Sequence, residues 1–210
     1  MTDALVSTQW VADNLDGGNF RLVEVDVDTS QYETGHVPGA VAFNWQTQLQ
    51  DQINRDIISK EEFEGLLSKA GVGADTHVVL YGDHNNWFAA YALWLFKYYG
   101  HENVSLMNGG RAKWLAENRD LATDAPSYAA TNYTVKTIKK EYRADRDYIK
   151  DHLDSNGFGL VDVRSTAEYV GDIIAPPGMS ETAQRAGHIP GASNIPWSQA
   201  VGRRWHIQEP

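Results

Sequence analysis

The sequence predicts an α/β fold, a parallel sheet flanked by helices, present once in complete form and a second time in part. Three observations carry this expectation. Short β-branched apolar runs alternate with helical stretches. The runs are too uniformly apolar to belong to a sheet that is wet on one face. One block of motifs occurs twice in the same order.

Taken from the N-terminus, residues 7–14 read as a helix and 21–25 as a buried strand. Residues 59–70 read as a helix whose opening Ser59-Lys60-Glu61-Glu62 suits a capping box. Residues 77–81 and 104–107 are strands, and 87–99 and 111–117 the helices that follow them. Between 107 and 111, Asn108-Gly109-Gly110 supplies a tight structural turn. From 123 to 137 periodicity is lost among Ala, Ser, Thr, Asp, Asn and Tyr, the signature of a connector. A second unit opens with a helix near 143–152 and a strand at 159–163. The expected organisation is a first domain over 1–123, a linker over 124–142 and a partial second domain over 143–210.

The repeat is specific. Leu22-Val23-Glu24-Val25-Asp26, then Thr34-Gly35-His36-Val37-Pro38-Gly39-Ala40, then Phe43-Asn44-Trp45 recurs as Leu160-Val161-Asp162-Val163-Arg164, Ala186-Gly187-His188-Ile189-Pro190-Gly191-Ala192 and Asn194-Ile195-Pro196-Trp197. Residues 44–121 have no counterpart in the second copy. Apolar segments there, such as Ile173-Ile174 and 195–197, are expected to lie open and to make the part after about Asp154 the less stable one.

Composition narrows the function. A net charge of −10 argues against phosphate-backbone binding and against anionic membrane surfaces. The start, Met1-Thr2-Asp3-Ala4, lacks the basic and apolar regions of a signal peptide, and the apolar run 88–96 is too short to cross a bilayer, so the expected location is cytoplasmic. The seven histidines show no paired ligand spacing, so no metal or other cofactor is expected. Zero cysteines exclude disulfides and thiol nucleophiles.

Two places carry candidate chemistry. Gly82-Asp83-His84-Asn85-Asn86-Trp87 follows a strand and opens a helix, the position where open parallel sheets bind ligands. Asp83 and His84 suit acid or base roles there, although Asp, His and Asn are also ordinary loop residues, the reading preferred. His36 and His188, each before a Pro-Gly corner, read as framework residues, with Asp26 and Asp162 as the expected hydrogen-bond partners.

Tyr32-x-x-x-His36-Val-Pro-Gly-Ala40, Val79-Leu-Tyr81, Gly100-His101, Asn108-Gly-Gly110-x-x-x-Trp114, Val161-Asp-Val-Arg164 and Gly187-His-Ile-Pro-Gly-Ala192 together resemble the rhodanese family. The chain looks most like its two-domain bacterial thiosulfate sulfurtransferases, in which the first domain is a silent copy and the second carries the active-site cysteine. The resemblance implies sulfane-sulfur transfer from thiosulfate, a small anionic donor, to cyanide or another thiophile through a cysteine persulfide. Alternatives are a silent module that binds an anion or a protein, and a 3-mercaptopyruvate sulfurtransferase. By resemblance the cysteine position falls near Tyr81 or Gly82 in the first domain, Trp87 and Phe88 line the pocket, and Asp162, Arg164 and His188 are framework near the second site. The catalytic loop of the second domain is expected beyond residue 210, so the chain is expected to be inactive. The ending Arg203-Arg204-Trp205-His206-Ile207-Gln208-Glu209-Pro210 is foreign to the pattern before it. Trp205 to Pro210 can be encoded by a choice of codons that, read from the second base, gives Gly-Thr-Phe-Lys-Ser, a segment with which family members tend to continue, so a frameshift near Gly202 is the expected cause.

Overall fold

The structure is a computed structural model, and it describes residues 4–17, 19–54, 56–177 and 184–202. The foreign ending, Arg203 to Pro210, lies outside the described residues. The chain divides into two compact units between Arg143 and Ala144.

The first unit is built on a parallel sheet of β1 (Leu5–Val6), β2 (Phe20–Asp26), β3 (Val41–Asn44), β4 (His77–Tyr81) and β5 (Val104–Met107), in the order β1-β5-β4-β2-β3. Its helices are α1 (Thr8–Asn14), α2 (Ser30–Thr34), α3 (Trp45–Gln48), α4 (Lys60–Lys69), α5 (Trp87–Tyr98) and α6 (Gly110–Ala116). The central strands are apolar because both faces are covered: Leu22, Val23, Val25, Val78, Val79 and Leu80 are all at most 1% exposed. Glu24 is the charged exception within that run, buried at 3%. The expected capping box of α4 is present, with the Glu62 amide donating to Ser59 Oγ and the Ser59 amide to Glu62 Oε2. Val11, Leu22, Val37, Ala40, Val79, Tyr81, Met107 and Trp114 form one core cluster. Around Phe63, Phe96, Tyr99 and Tyr133 lies an aromatic cluster with edge and stacked contacts.

Residues 124–142, expected as a connector, are laid along this unit. Arg21 sits over the Tyr128 ring, the Tyr128 hydroxyl donates to the Gly39 carbonyl, and the Val135 amide donates to Glu64 Oε1. Further along, the Lys139 amide donates to the Tyr98 carbonyl, and Trp94 Nε1 to that of Tyr142. Composition signals irregular backbone; it does not reveal that Tyr128, Tyr133 and Val135 have partners to pack on.

The second unit holds α7 (Arg146–His152), β6 (Val161–Asp162), α8 (Thr166–Val170) and β7 (Ser193–Asn194), with β6 and β7 parallel. By the repeat, β6 corresponds to β2 and β7 to β3. The correspondence extends to atoms. Tyr32 stacks on His36 at 3.8 Å and its hydroxyl donates to the Ala40 carbonyl, while Tyr169 stacks on His188 at 3.7 Å and donates to Ala192.

Candidate functional site

At the carboxyl end of β4 the chain turns through Gly82–Trp87 into α5, and two side chains fix the turn. Asn86, buried, accepts the Gly82 amide at 3.0 Å through Oδ1 and donates through Nδ2 to the Met107 carbonyl at 2.9 Å. Asp26 at the end of β2 accepts the Asp83 amide on both carboxylate oxygens, at 3.0 and 3.1 Å. Between these anchors His84, Asn85 and Asn86 have φ of 48, 57 and 64°. Three successive left-handed residues other than glycine are costly, each by about 1–2 kcal/mol and less for Asn. They persist because the anchors over-determine the turn. Gly82 and Gly110 make room for it: a Cβ on Gly82 would lie 2.4 Å from the Val25 carbonyl oxygen, and one on Gly110 2.5 Å from Asn86 Oδ1.

Beneath the turn is a buried charge network. Arg111, from α6, donates to Glu24 at 3.1 Å and to the carbonyls of Gln31 and Gly35, and its amide donates to the Gly82 carbonyl at 3.1 Å. The Tyr81 hydroxyl donates to Glu24 and accepts the Val37 amide at 3.1 Å. Burial raises the Glu24 carboxyl above its usual range, opposed by the Tyr81 bond and the Arg111 charge. Asp26 is pushed up to about 7, chiefly by burial, with the Asp83 amide opposing and the Asp83 and Glu24 charges adding.

Above the turn a hollow of about 430 Å³ is lined by Asp26, Val27, Asp28, Gln31, Asp83 and His84. Three of its six lining residues are carboxylates and none is Lys or Arg. The nearest guanidinium, Arg111, reaches Asp83 at 3.8 Å and is committed to Glu24. Such a hollow repels a small anion, so the anion-binding role considered for the 82–87 loop does not suit this geometry.

The structure thus brings Asp26, Asp83 and His84 together, with Asn85, Asn86 and Trp87 in the same turn. It separates them from His36, whose expected bond to Asp26 is not formed. His36 is fully buried and its Nδ1 donates to the Tyr32 carbonyl at 2.9 Å. His188 likewise donates to Tyr169 at 2.8 Å instead of to Asp162. In both copies the imidazole stacks on a tyrosine of the preceding helix, which places Nδ1 at that residue's own carbonyl. Asp162 is instead taken by Arg164, at 2.6 Å to Nη2, and that bond holds its carboxyl below the usual range. Arg164 Nη2 also donates to the Gly187 carbonyl at 2.8 Å. By the repeat Asp162 matches Glu24 and Gly187 matches Gly35, so Arg164 does in the second unit what Arg111 does in the first.

Glu24 and Arg111 are the site residues that sequence reasoning missed; Tyr81, placed by resemblance near the cysteine position, joins them through its hydroxyl. The available signal was a lone carboxylate in the apolar run of β2, which demands a buried cation, and an arginine directly after Asn108-Gly109-Gly110. Among the described residues no cluster of His, Asp and Glu is arranged to hold a metal.

A parallel sheet whose β4 ends in a tight turn before a helix, followed by a second copy of its β2–β3 corner, defines the class of fold as α/β with a repeated strand–corner–strand unit. The chain belongs to the rhodanese family: the rhodanese-like domain model matches residues 7–117 and 145–208. A Haloferax volcanii protein named as a candidate thiosulfate sulfurtransferase is 53% identical over 95% of this chain and 71% of its own length. The sulfur carrier protein TtuD of Thermus thermophilus is 51% identical over 95% of this chain and 71% of its length. In fold, the chain is similar to SseA of Escherichia coli, described as a 3-mercaptopyruvate sulfotransferase, with a TM-score of 0.85 at 24% identity over 99% of this chain and 80% of that one. Among the described residues no helix is long and apolar enough to cross a membrane.

Proposed function

We propose that this chain is the cysteine-free portion of a thiosulfate sulfurtransferase system. In that reaction a thiolate attacks the outer sulfur of thiosulfate, the S–S bond breaks, and sulfite leaves with the electron pair. Cyanide or another thiophile then takes the outer sulfur of the persulfide, and the thiolate is regenerated. The observation that carries this reading is the absence of any cysteine from a chain 53% identical to a candidate thiosulfate sulfurtransferase. Gly82 offers no seat for a thiol, because a side chain there collides with the Val25 carbonyl. On this reading the first unit is a silent copy.

The test is thiocyanate formation from thiosulfate and cyanide by the 210-residue chain, with pyruvate release from 3-mercaptopyruvate measured alongside. The expected result is background in both. Turnover on thiosulfate overturns the silent assignment, and turnover on 3-mercaptopyruvate alone moves the chain to the competing donor. A protein-binding role for the first unit is the second reading, favoured by the exposed Trp87 packed against Phe88 and by the acidic hollow.

A further inference from the structure

Two Asn-Gly pairs and one Asp-Gly pair occur in this chain, at 108–109, 156–157 and 16–17. Such pairs are open to cyclisation, because glycine has no side chain to shield its own amide nitrogen from the side-chain carbonyl of the residue before it. Whether a ring closes depends on the freedom of that amide and of the surrounding backbone, and the three pairs differ in both.

At 16–17 the Gly17 amide is engaged, donating to the Asn14 carbonyl at 3.1 Å, and the group it would attack is a carboxylate, a poorer electrophile than an amide. At 108–109 the Asn108 amide donates to the Val6 carbonyl at 2.8 Å, which ties the residue to β1. Gly109 is buried, and a Cβ there would lie 2.5 Å from the Lys113 side chain. An imide ring forms at this place only if the turn between β5 and α6 opens. At 156–157, between α7 and β6, both residues are exposed, and a Cβ on Gly157 would meet nothing within 4 Å. Among the described residues neither the Gly157 amide nor the Asn156 side chain has a hydrogen-bond partner. The turn itself is closed by the Phe158 amide on the Ser155 carbonyl at 3.2 Å.

We propose that Asn156 is a site of spontaneous covalent modification, passing through a succinimide to isoaspartate and aspartate. The Gly157 nitrogen loses its proton to solvent base and bonds to Cγ of Asn156; the bond from Cγ to the side-chain nitrogen breaks, and that nitrogen leaves as ammonia with a proton from water. Water then opens the imide. Cleavage between the Gly157 nitrogen and Cγ gives aspartate, and cleavage between that nitrogen and the main-chain carbonyl carbon gives isoaspartate. The net change is one water taken up and one ammonia released, with nothing oxidised or reduced. Either product adds a negative charge. Isoaspartate also lengthens the main chain by one carbon, just before Phe158 packs against Tyr148 and His152 of α7.

The test holds the freshly prepared 210-residue chain folded at mildly alkaline pH and follows the peptides that contain Asn108 and Asn156 by mass, with electron-transfer fragmentation to tell isoaspartate from aspartate. The expected result is exchange of NH2 for OH at Asn156, with isoaspartate predominating. Its rate exceeds that at Asn108 by about tenfold or more, because Asn108 must wait for local opening. In concentrated urea, where both turns are lost, the two sites react at similar rates. Asn156→Gln, at an exposed position without a side-chain partner, keeps the fold and suppresses the reaction there, since a glutamine must close a six-membered ring. An unchanged Asn156 in the folded chain, an Asn108 that reacts as fast, aspartate without isoaspartate, or equal loss of the amide in Asn156→Gln overturns the proposal.

Discussion

Replacing Arg111 by methionine tests the network beneath the candidate turn. The substitution keeps most of the side-chain volume and removes the guanidinium, whose exposure is 5% against 3% for Glu24. It leaves a buried carboxylate unpaired, together with the carbonyls of Gln31 and Gly35. Removing one partner of a buried pair costs about 3–5 kcal/mol, which for a unit of this size lowers the melting midpoint by roughly 6–20 °C. The loss has a predictable pH dependence. Glu24 already has its folded-state pKa raised by burial, and without the Arg111 charge it rises further. A group raised in the folded state contributes stability that is fully present below the unfolded pKa and is lost as pH rises through the folded one. The variant therefore approaches the parent in acid and falls furthest behind it at neutral and alkaline pH. Urea unfolding followed by tryptophan fluorescence between acid and alkaline pH reads this directly. In the double variant Glu24→Gln/Arg111→Met, part of the loss is recovered, because a neutral amide tolerates burial better than a carboxylate. A change within about 0.5 kcal/mol of the parent, or a loss independent of pH, refutes the reasoning.

Other expectations follow from the same geometry. Asp26, whose carboxyl burial pushes up to about 7 from the usual 3.8, contributes stability that is lost as pH rises across that window. Asp26→Asn, which keeps an acceptor for the Asp83 amide, should flatten the slope in pH-dependent unfolding and be the more stable protein above neutrality. Gly82→Cys should confer no thiocyanate-forming activity and cost about 1–3 kcal/mol by overpacking, seen as a lower denaturation midpoint. Val25→Ala should cost about 2 kcal/mol, while Val163→Ala, at the equivalent open position, should stay within about 0.5 kcal/mol. Equal losses at the two sites would show that Val163 is covered in solution.

Burial decided which parts of this fold were legible in the sequence. Strands β2, β4 and β5 are covered on both faces, so their composition announces them, and α4 carries its capping box in plain view. In contrast β1 is two residues long and α2, α3 and α8 are single turns, too short to display a period. The location of the candidate turn was readable from strand, glycine and helix order. Its conformation was not, because the three consecutive left-handed residues are held by partners elsewhere in the fold, Met107 for Asn86 and Asp26 for Asp83. The Arg111–Glu24 pair joins residues 87 positions apart, and only topology brings them together. His36 and His188, expected as framework residues, each bond a backbone carbonyl. The expected aspartate partners were wrong because stacking on Tyr32 and Tyr169 turns each imidazole towards a carbonyl.

The central claim is that this chain carries the rhodanese fold without the group that holds sulfur. Intact-mass measurement after incubation with thiosulfate addresses it most directly, with the Thermus sulfur carrier relative treated in parallel. The account predicts that the 210-residue chain keeps its unmodified mass. A covalent adduct of one added sulfur on this chain would contradict it.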